Sequence, residues 1–295
     1  MKKIFFYSFI VSLILLSGCN KDDNNKSSCY SNPDVQTIMH DGENREYVLY
    51  VPNSYNGTSP IPLLFNFHGF GDNATDYMNN ADMRSEAESE TFILVYPQGS
   101  CSDGFSHWNP CPLGGDNKST ADDLGFVESM INEISSDYTV DMERVYAAGY
   151  SNGGMMAYGL AHYKSNLIAA VASVSGAMLD CTGPTSHPMP VIHLHGTSDG
   201  VLPYNGDNYY NSAQSTVDYW VNFNNTTITP TVNSDNSGGM TIEHYVYDQG
   251  DSSVSVEHYK YIGGNHIWFN TTYQGQNTSE LVWNFVSKYD INGLK

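Results

Sequence analysis

Basic residues are scarce in this sequence. Lys and Arg number 12 against 32 Asp and Glu in 295 residues, which gives a formal net charge of -20 at pH 7. A chain this acidic repels the phosphate backbone of nucleic acids and anionic membrane surfaces. The composition therefore argues against nucleic acid as a partner, and it gives no positive indication of the substrate.

Long hydrophobic runs are also missing, apart from one near the first residue. Lys2 and Lys3 precede the apolar residues 4–16, a run too short to span a bilayer comfortably, and Leu-Ser-Gly-Cys occupies residues 16–19. This arrangement resembles the signal peptide and lipobox of bacterial lipoproteins. It predicts removal of residues 1–18 and acylation of Cys19, with a plain secretory signal as the alternative.

The residues after Cys19 are polar and show no hydrophobic periodicity, so 19–30 is predicted to be a flexible tether. Residues 20–23 resemble the acidic export signal of some Gram-negative lipoproteins. The predicted location is therefore the outer membrane, with exposure at the cell surface or secretion as further options. Membrane contact is expected only through the lipid anchor, and residues 31–295 are predicted to form a single domain.

Cysteine is limited to five residues, and no C-x-x-C pair occurs, which argues against a four-cysteine metal site. With the lipidated Cys19 set aside, four cysteines remain. An even number in an exported protein indicates two disulfides, with three pairings open. Closeness in sequence favours Cys101 with Cys111, which leaves Cys29 with Cys181.

Internal repeats are absent, and β-type runs instead alternate with helical ones. Strands are predicted at 46–51, 63–67, 92–96, 145–148, 169–174, 191–194, 242–247 and 256–261, and helices from 122, after 151, over 212–223, and from a cap at Thr278 or Ser279. This alternation predicts an α/β fold with a mostly parallel central sheet flanked by helices. Residues 100–120 form a long loop, of a length that is usually functional or cross-linked.

One motif organises the rest of the chain. Gly149-Tyr150-Ser151-Asn152-Gly153 lies between an apolar β-type run and a helix-forming run. A Gly-x-Ser-x-Gly in that context is typical of the nucleophile elbow of α/β-hydrolases, where a tight turn lifts the serine above the sheet. The motif predicts Ser151 as a nucleophile.

A serine nucleophile needs a base and an orienting acid, which in this fold follow it in the order acid, then histidine. Asp199 comes directly after the predicted strand 191–194, and His266 comes after the strand 256–261 in a glycine-rich loop. Asp207 and Asp180 are competing candidates for the acid, but their positions after the strands fit that role less well than the position of Asp199. The positions predict Asp199 as the acid and His266 as the base.

Backbone amides are predicted to bind the oxyanion. The N–H of Asn152 lies at the start of the helix after the elbow, and His68-Gly69-Phe70-Gly71 follows an early strand. The N–H groups of Phe70 and Asn152 are therefore expected to form the oxyanion hole. His68 is expected to make structural hydrogen bonds and not to carry a proton.

A family resemblance follows from these motifs together with several others. The motifs are Phe67-His68-Gly69, Tyr96-Pro97-Gln98-Gly99, Trp108-Asn109, Asp122-Asp123-Leu124-Gly125-Phe126, the elbow, His195-Gly196-Thr197-Ser198-Asp199, and Gly263-Gly264-Asn265-His266-Ile267-Trp268. In this order the chain resembles the polyhydroxybutyrate depolymerase and feruloyl/acetylxylan esterase family of α/β-hydrolases. The resemblance implies ester hydrolysis with Ser151, Asp199 and His266 in the roles that their positions predict.

The expected function is that of a serine carboxylesterase working through an acyl-enzyme, with no metal or cofactor. Feruloyl or acetyl esters on polysaccharide are the expected substrates, with Trp108 and Trp268 lining the substrate site. A polyester depolymerase is the alternative within the enzyme class. A surface lipoprotein that binds glycan without turnover is the alternative outside it.

Overall fold

A computed structural model describes Cys29 and residues 35–236 and 238–295. The predicted signal peptide, Cys19 and the rest of the predicted tether lie outside the described residues. The strands are β1 Gln36–His40, β2 Glu43–Tyr50, β3 Ile61–Phe67, β4 Ile93–Pro97, β5 Ser100–Ser102, β6 Phe105–His107, β7 Val140–Tyr150, β8 Ala170–Val174, β9 Val191–Gly196, β10 Thr231–Asp235, β11 Ile242–Tyr247, β12 Val256–Tyr261, β13 Tyr289–Asp290 and β14 Gly293–Leu294. The helices are α1 Ala74–Asn80, α2 Arg84–Glu90, α3 Asp123–Asp137, α4 Asn152–Tyr163, α5 Ala213–Phe223 and α6 Thr278–Val286, with a 3-10 turn at Asp251–Ser253.

Ten of these strands form one sheet in the order β1-β2-β4-β3-β7-β8-β9-β12-β11-β10. The six strands from β4 to β12 in that order run parallel, and antiparallel pairs complete both edges. The predicted mostly parallel sheet flanked by helices is confirmed. Parallel strands place their carboxyl ends at one edge, where open α/β sheets carry their functional loops.

Both faces of the central sheet are buried, which explains why its strands read as continuous apolar runs. Along β3, Phe65 and Phe67 pack with α3, α4 and α5, whereas Leu64 packs on the opposite side with α1, α2 and α6.

Among residues 35–236 and 238–295, no helix is long and apolar enough to cross a bilayer.

The start of the last helix differs from its prediction. Asn277 is the N-cap of α6, and its side chain accepts a hydrogen bond from the N–H of Glu280 at 2.9 Å. The Glu280 carboxylate accepts the N–H of Asn277 in return, at 2.7 Å. This reciprocal capping box satisfies two helix-end donors, so neither Thr278 nor Ser279 is the cap.

The predicted disulfide pairing is wrong, although all four cysteines are bonded. Cys29 is joined to Cys101, and Cys111 to Cys181, with Cα–Cα distances of 5.6 and 5.9 Å. Cys101 lies on the exposed β5–β6 hairpin, whereas Cys111 is buried beyond it. Although the two cysteines are close in sequence, one is exposed and the other is buried, and each bonds to a distant segment of the chain.

Candidate active site

Ser151 occupies a strained turn between a strand and a helix. Strand β7 ends at Tyr150, α4 begins at Asn152, and Ser151 between them has φ 55° and ψ -119°. That conformation is costly for a residue other than glycine and is typical of functional sites. A side chain at Gly149 would collide with the Gly153 carbonyl, and one at Gly153 with the Phe67 carbonyl. Both glycines of the motif are therefore required by close backbone contacts.

The structure brings the three predicted catalytic side chains together. His266 Nε2 lies 2.8 Å from Ser151 Oγ, and His266 Nδ1 lies 2.7 Å from Asp199 Oδ2. Asp199 follows β9 and His266 follows β12, and these strands are parallel neighbours. The competitor Asp207 is exposed and accepts the N–H groups of its own turn. The arrangement can move a proton from a serine hydroxyl to an imidazole held by a carboxylate.

The Asp199 carboxylate is buried and fully hydrogen-bonded. Its Oδ1 accepts the N–H groups of Val201 and Leu202, both at 2.8 Å, and its Oδ2 faces His266 and His195. Burial alone would raise the pKa of Asp199, but the hydrogen bonds from His195, His266 and the two amides outweigh it and hold the pKa below its usual range. The carboxylate is therefore ionised at neutral pH.

Tyr150 holds the backbone of the predicted base by a hydrogen bond, a role that was not predicted from the sequence. Its hydroxyl donates to the backbone carbonyl of His266 at 2.9 Å, and the two rings lie 5.1 Å apart. Burial raises the pKa of Tyr150 to about 12, so the phenol stays protonated and remains a donor. Its position beside Ser151 in the elbow motif was the available signal.

The predicted oxyanion donors lie on either side of Ser151. A Cβ at Gly69 would lie 3.4 Å from the Cβ of Ser151, so the turn after β3 reaches the elbow. Within the described part of the chain, the N–H groups of Phe70 and Asn152 have no hydrogen-bond acceptor. Two free amides beside a serine suit a developing oxyanion, and their role stays a prediction.

Trp108 is not a substrate-lining residue in this structure, because its side chain is 0% exposed. Its indole N–H donates to the carbonyl of His68 at 3.0 Å. Its backbone N–H and carbonyl both bond the side chain of Asn152, at 2.6 and 3.1 Å. Trp108 thus connects the turn after β3 to the start of α4. The position in a glycine-rich loop suggested exposure, but these long-range contacts bury it.

His68 makes the structural hydrogen bonds expected of it. Its Nε2 accepts the N–H of Gly99 at 3.0 Å, and its Nδ1 donates to the carbonyl of Gly69 at 2.7 Å. Burial lowers the pKa of His68 to about 4, so the ring is neutral at physiological pH. The residue fixes the turn that carries Phe70.

Two exposed aromatic rings lie at the turn after β3, whose Gly69 adjoins Ser151, and at the hairpin next to this turn. Phe70 and Phe105 are 50% and 52% exposed, and their rings stack with centroids 5.6 Å apart. The N–H of Gly71 donates to the carbonyl of Ser106 at 2.8 Å, which fixes the β5–β6 hairpin beside this turn. Trp268, two residues after His266, is partly buried and packs edge-on against Tyr77. Sequence analysis missed Phe105, because nothing local indicates that its hairpin reaches the site.

One group among the described residues has the ligand types of a metal site. His40, Asp41 and Asp122 place their ligand atoms within 4.8 Å of one another. Both nitrogens of His40 are already engaged at 3.0 Å, one with Ser129 Oγ and one with the Asp122 carbonyl. Because the imidazole has no free lone pair directed at the carboxylates, these residues do not fit a metal ion well.

Comparison with known protein families supports an esterase assignment. The family described as esterase PHB depolymerase matches residues 45–211, more than half of the chain. A bifunctional acetylxylan esterase/xylanase of Neocallimastix patriciarum is 34% identical over 163 residues, which cover 55% of this chain and 22% of that protein. A probable feruloyl esterase C of Aspergillus flavus is 29% identical over 187 residues, which cover 62% of this chain and 65% of that protein. This chain therefore spans less than two thirds of either relative.

Solved structures agree on the fold. An acetyl xylan esterase from Aspergillus awamori superposes with a TM-score of 0.64 at 16% identity and covers 86% of this chain and 98% of its own. A thermostable esterase gives a TM-score of 0.55 at 17% identity, over 87% of this chain and 62% of its own. At these identities the likeness establishes the α/β-hydrolase fold.

Proposed function

Because the chain belongs to the esterase PHB depolymerase family, we propose that it is a serine carboxylesterase acting on feruloyl or acetyl esters of polysaccharide. The observation that carries the enzymatic part is the unbroken relay from Ser151 Oγ through His266 to Asp199, at 2.8 and 2.7 Å. A protein that only bound glycan would have no use for this geometry or for the strained turn that presents Ser151.

The proposed reaction has two steps. Ser151 Oγ attacks the ester carbonyl while His266 Nε2 takes its proton, and Asp199 stabilises the resulting imidazolium. The N–H groups of Phe70 and Asn152 bind the oxyanion, and the alcohol leaves with the proton from His266. Water then attacks the acyl-enzyme by the same path, which releases the acid and restores Ser151.

The stacked pair Phe70 and Phe105, called here the aromatic rim, supports the proposed substrate class. Phe70 supplies a proposed oxyanion donor from its backbone, so its ring lies close to the carbonyl under attack. Together with Phe105 it offers a planar apolar surface open to solvent. A feruloyl ring or a sugar face can stack on such a surface. The two relatives compared above, an acetylxylan esterase/xylanase and a probable feruloyl esterase C, support the same class.

Phe105→Ala is expected to reduce kcat/KM for methyl ferulate by about 5- to 10-fold, because one aromatic contact is worth about 1 kcal/mol. For p-nitrophenyl acetate, whose acyl group is too small to use the rim, we expect less than a twofold change. The measurement is initial-rate kinetics on both esters with a form that starts at residue 20. Ile228→Ala, which alters a residue 82% exposed beyond α5, serves as the control.

Acetylated xylan and polyhydroxybutyrate extend this comparison to polymers. Preference for polyhydroxybutyrate would replace the polysaccharide substrate with the polyester alternative, to which the family description also points. Equal losses on ferulate and acetate would show that Phe105 affects the site as a whole and would remove the rim from the substrate argument. A folded protein inactive on all four substrates would contradict the esterase proposal.

We also propose that the protein is exported and anchored through Cys19, by the lipobox at residues 16–19. Cys19→Ala is expected to abolish incorporation of radiolabelled palmitate and to move the protein out of the membrane fraction. The outer membrane, facing either side, is the proposed destination. Unchanged lipid labelling of the variant would contradict the anchor.

A further inference from the structure

A second imidazole contacts the catalytic carboxylate. His195 Nε2 lies 3.2 Å from Asp199 Oδ2, the same oxygen that His266 Nδ1 approaches at 2.7 Å. His195 Nε2 also lies 2.8 Å from the carbonyl of Leu202, whose own N–H donates to Asp199. The His195 side chain is 3% exposed. It therefore lies behind the acid, away from any substrate.

The neighbouring acceptors fix the direction of every hydrogen bond in this region. Since His195 Nε2 faces a carbonyl and a carboxylate, it carries a proton, and in the neutral ring Nδ1 is then the acceptor. Nδ1 lies 3.2 Å from His193 Nε2, which is therefore the donor. His193 Nδ1 is left to accept from the hydroxyl of Tyr158, at 2.7 Å. Three buried side chains thus form a directed chain of donors that ends at Asp199.

Burial keeps the two members of this chain that lie furthest from Asp199, His193 and Tyr158, uncharged. Burial lowers the pKa of His193 well below its usual range, and burial raises the pKa of the Tyr158 hydroxyl. From β12, His258 faces both histidines and donates its Nδ1–H to the His193 carbonyl at 2.9 Å. Burial lowers the pKa of His258 to about 4.

Tyr204 packs directly against His195, with ring centroids 5.8 Å apart, and further titratable groups lie around it. Tyr204 contacts His258 Nε2 at 2.9 Å, Lys260 lies 5.9 Å from the Tyr204 ring, and Glu243 pairs with Lys260 at 2.9 Å. The ring of Tyr245 lies 5.9 Å from that of His258. Lys260 is the register partner of His195 on the neighbouring strand β12, and its charge is paired with that of Glu243.

We propose that His195 is a positioning residue for ester hydrolysis, held in one tautomer by His193 and Tyr158, which fixes the Asp199 carboxylate and shares its negative charge with His266. The inference rests on the proposed function. With both of its oxygens engaged, Asp199 cannot rotate when His266 becomes charged. Its charge is divided between two imidazole N–H groups, which limits how strongly it raises the basicity of His266.

The test measures phosphorylation of Ser151 in the full chain by the phosphate triester diethyl p-nitrophenyl phosphate, which needs the triad but no particular carboxylic ester. Ser151 Oγ forms a bond to phosphorus, p-nitrophenolate leaves, and His266 takes the serine proton. The released p-nitrophenolate gives the second-order rate constant as a function of pH. The variants are His195→Leu, which removes the donor, His195→Gln, whose amide nitrogen can replace Nε2–H, and Tyr158→Phe.

For His195→Leu we expect the rate constant at pH 8 to fall about 10- to 100-fold and the acid limb of the pH profile to move up by about half a unit. The shift has this sign because Asp199 then presents more charge to His266, which binds its proton more tightly. His195→Gln is expected to keep a rate constant and an acid limb close to those of the wild type. Tyr158→Phe is expected to move the acid limb in the same direction as His195→Leu, but by less. Far-UV circular dichroism and melting temperature confirm folding of each variant.

Two results would overturn the inference. One is a loss of rate in His195→Leu with an unmoved acid limb; the other is a glutamine variant no better than the leucine variant. Either would reduce His195 to a packing residue. A folded wild-type protein that fails to react would instead reject the serine esterase function and, with it, the inference.

Discussion

Ser151→Ala is expected to reduce ester turnover by about six orders of magnitude, the loss typical when a serine nucleophile is removed. Without Oγ no acyl-enzyme can form, and the Phe70 and Asn152 amides would stabilise only a direct attack by water. The measurement is single-turnover hydrolysis of p-nitrophenyl acetate at high enzyme concentration, with mass spectrometry of the acylated wild-type protein. Alanine removes only the Ser151 hydroxyl and its contact with His266, and the fold should survive.

The control for this prediction is Ser136→Ala on the exposed face at the end of α3, which should keep full activity. Residual turnover of Ser151→Ala within 100-fold of the wild type would exclude Ser151 from the mechanism. Acyl label found on another residue of the wild type would lead to the same conclusion.

Asp199→Asn is expected to lower kcat by about 10,000-fold with little change in KM, as removal of the charge does in other serine triads. The carboxylate faces four donors, the amides of Val201 and Leu202 and the imidazoles of His195 and His266. The NH₂ of an asparagine at this position is itself a donor, and it must face at least one of these four donors. Where it meets His266, it favours the tautomer whose Nε2 carries a proton, and that tautomer cannot accept one from Ser151.

Asp207→Asn is the matched control, since Asp207 also follows β9 and accepts two turn N–H groups that an asparagine oxygen can still accept. It should retain activity within twofold. The opposite result, an active Asp199→Asn and an inactive Asp207→Asn, would transfer the role of the acid. Steady-state kinetics between pH 6 and 9 distinguishes a lost charge from a shifted optimum.

Local sequence predicted much of this architecture because the relevant constraints are local. A side chain at Gly149 would collide with the Gly153 carbonyl inside the motif, whereas one at Gly153 would collide with the Phe67 carbonyl of β3, so the motif explains only the first of its two glycines by itself. Asp199 and His266 were found because each comes shortly after a predicted strand, at 191–194 and 256–261. Because β9 and β12 are parallel neighbours, their carboxyl ends lie side by side, and so do the two residues that follow them.

What the sequence did not reveal depends on contacts between distant segments. The burial of Trp108 follows from bonds to His68 and Asn152, which are 40 and 44 residues away. The two disulfides close separations of 72 and 70 residues, against the preference for neighbours in sequence. His195 resembled any strand histidine until β9 was placed beside α4 and β12.

Phe105 and Trp108 lie three residues apart on one segment, yet one ring is half exposed and the other is fully buried. The exposed ring stacks on Phe70 of the turn after β3, and the buried one connects the two backbones that carry the proposed oxyanion donors. The proposed function therefore gives selectivity and catalysis separate mutational targets within this short stretch. Evolution, or an engineer, can vary residue 105 to change the accepted acyl group while residue 108 preserves the reaction.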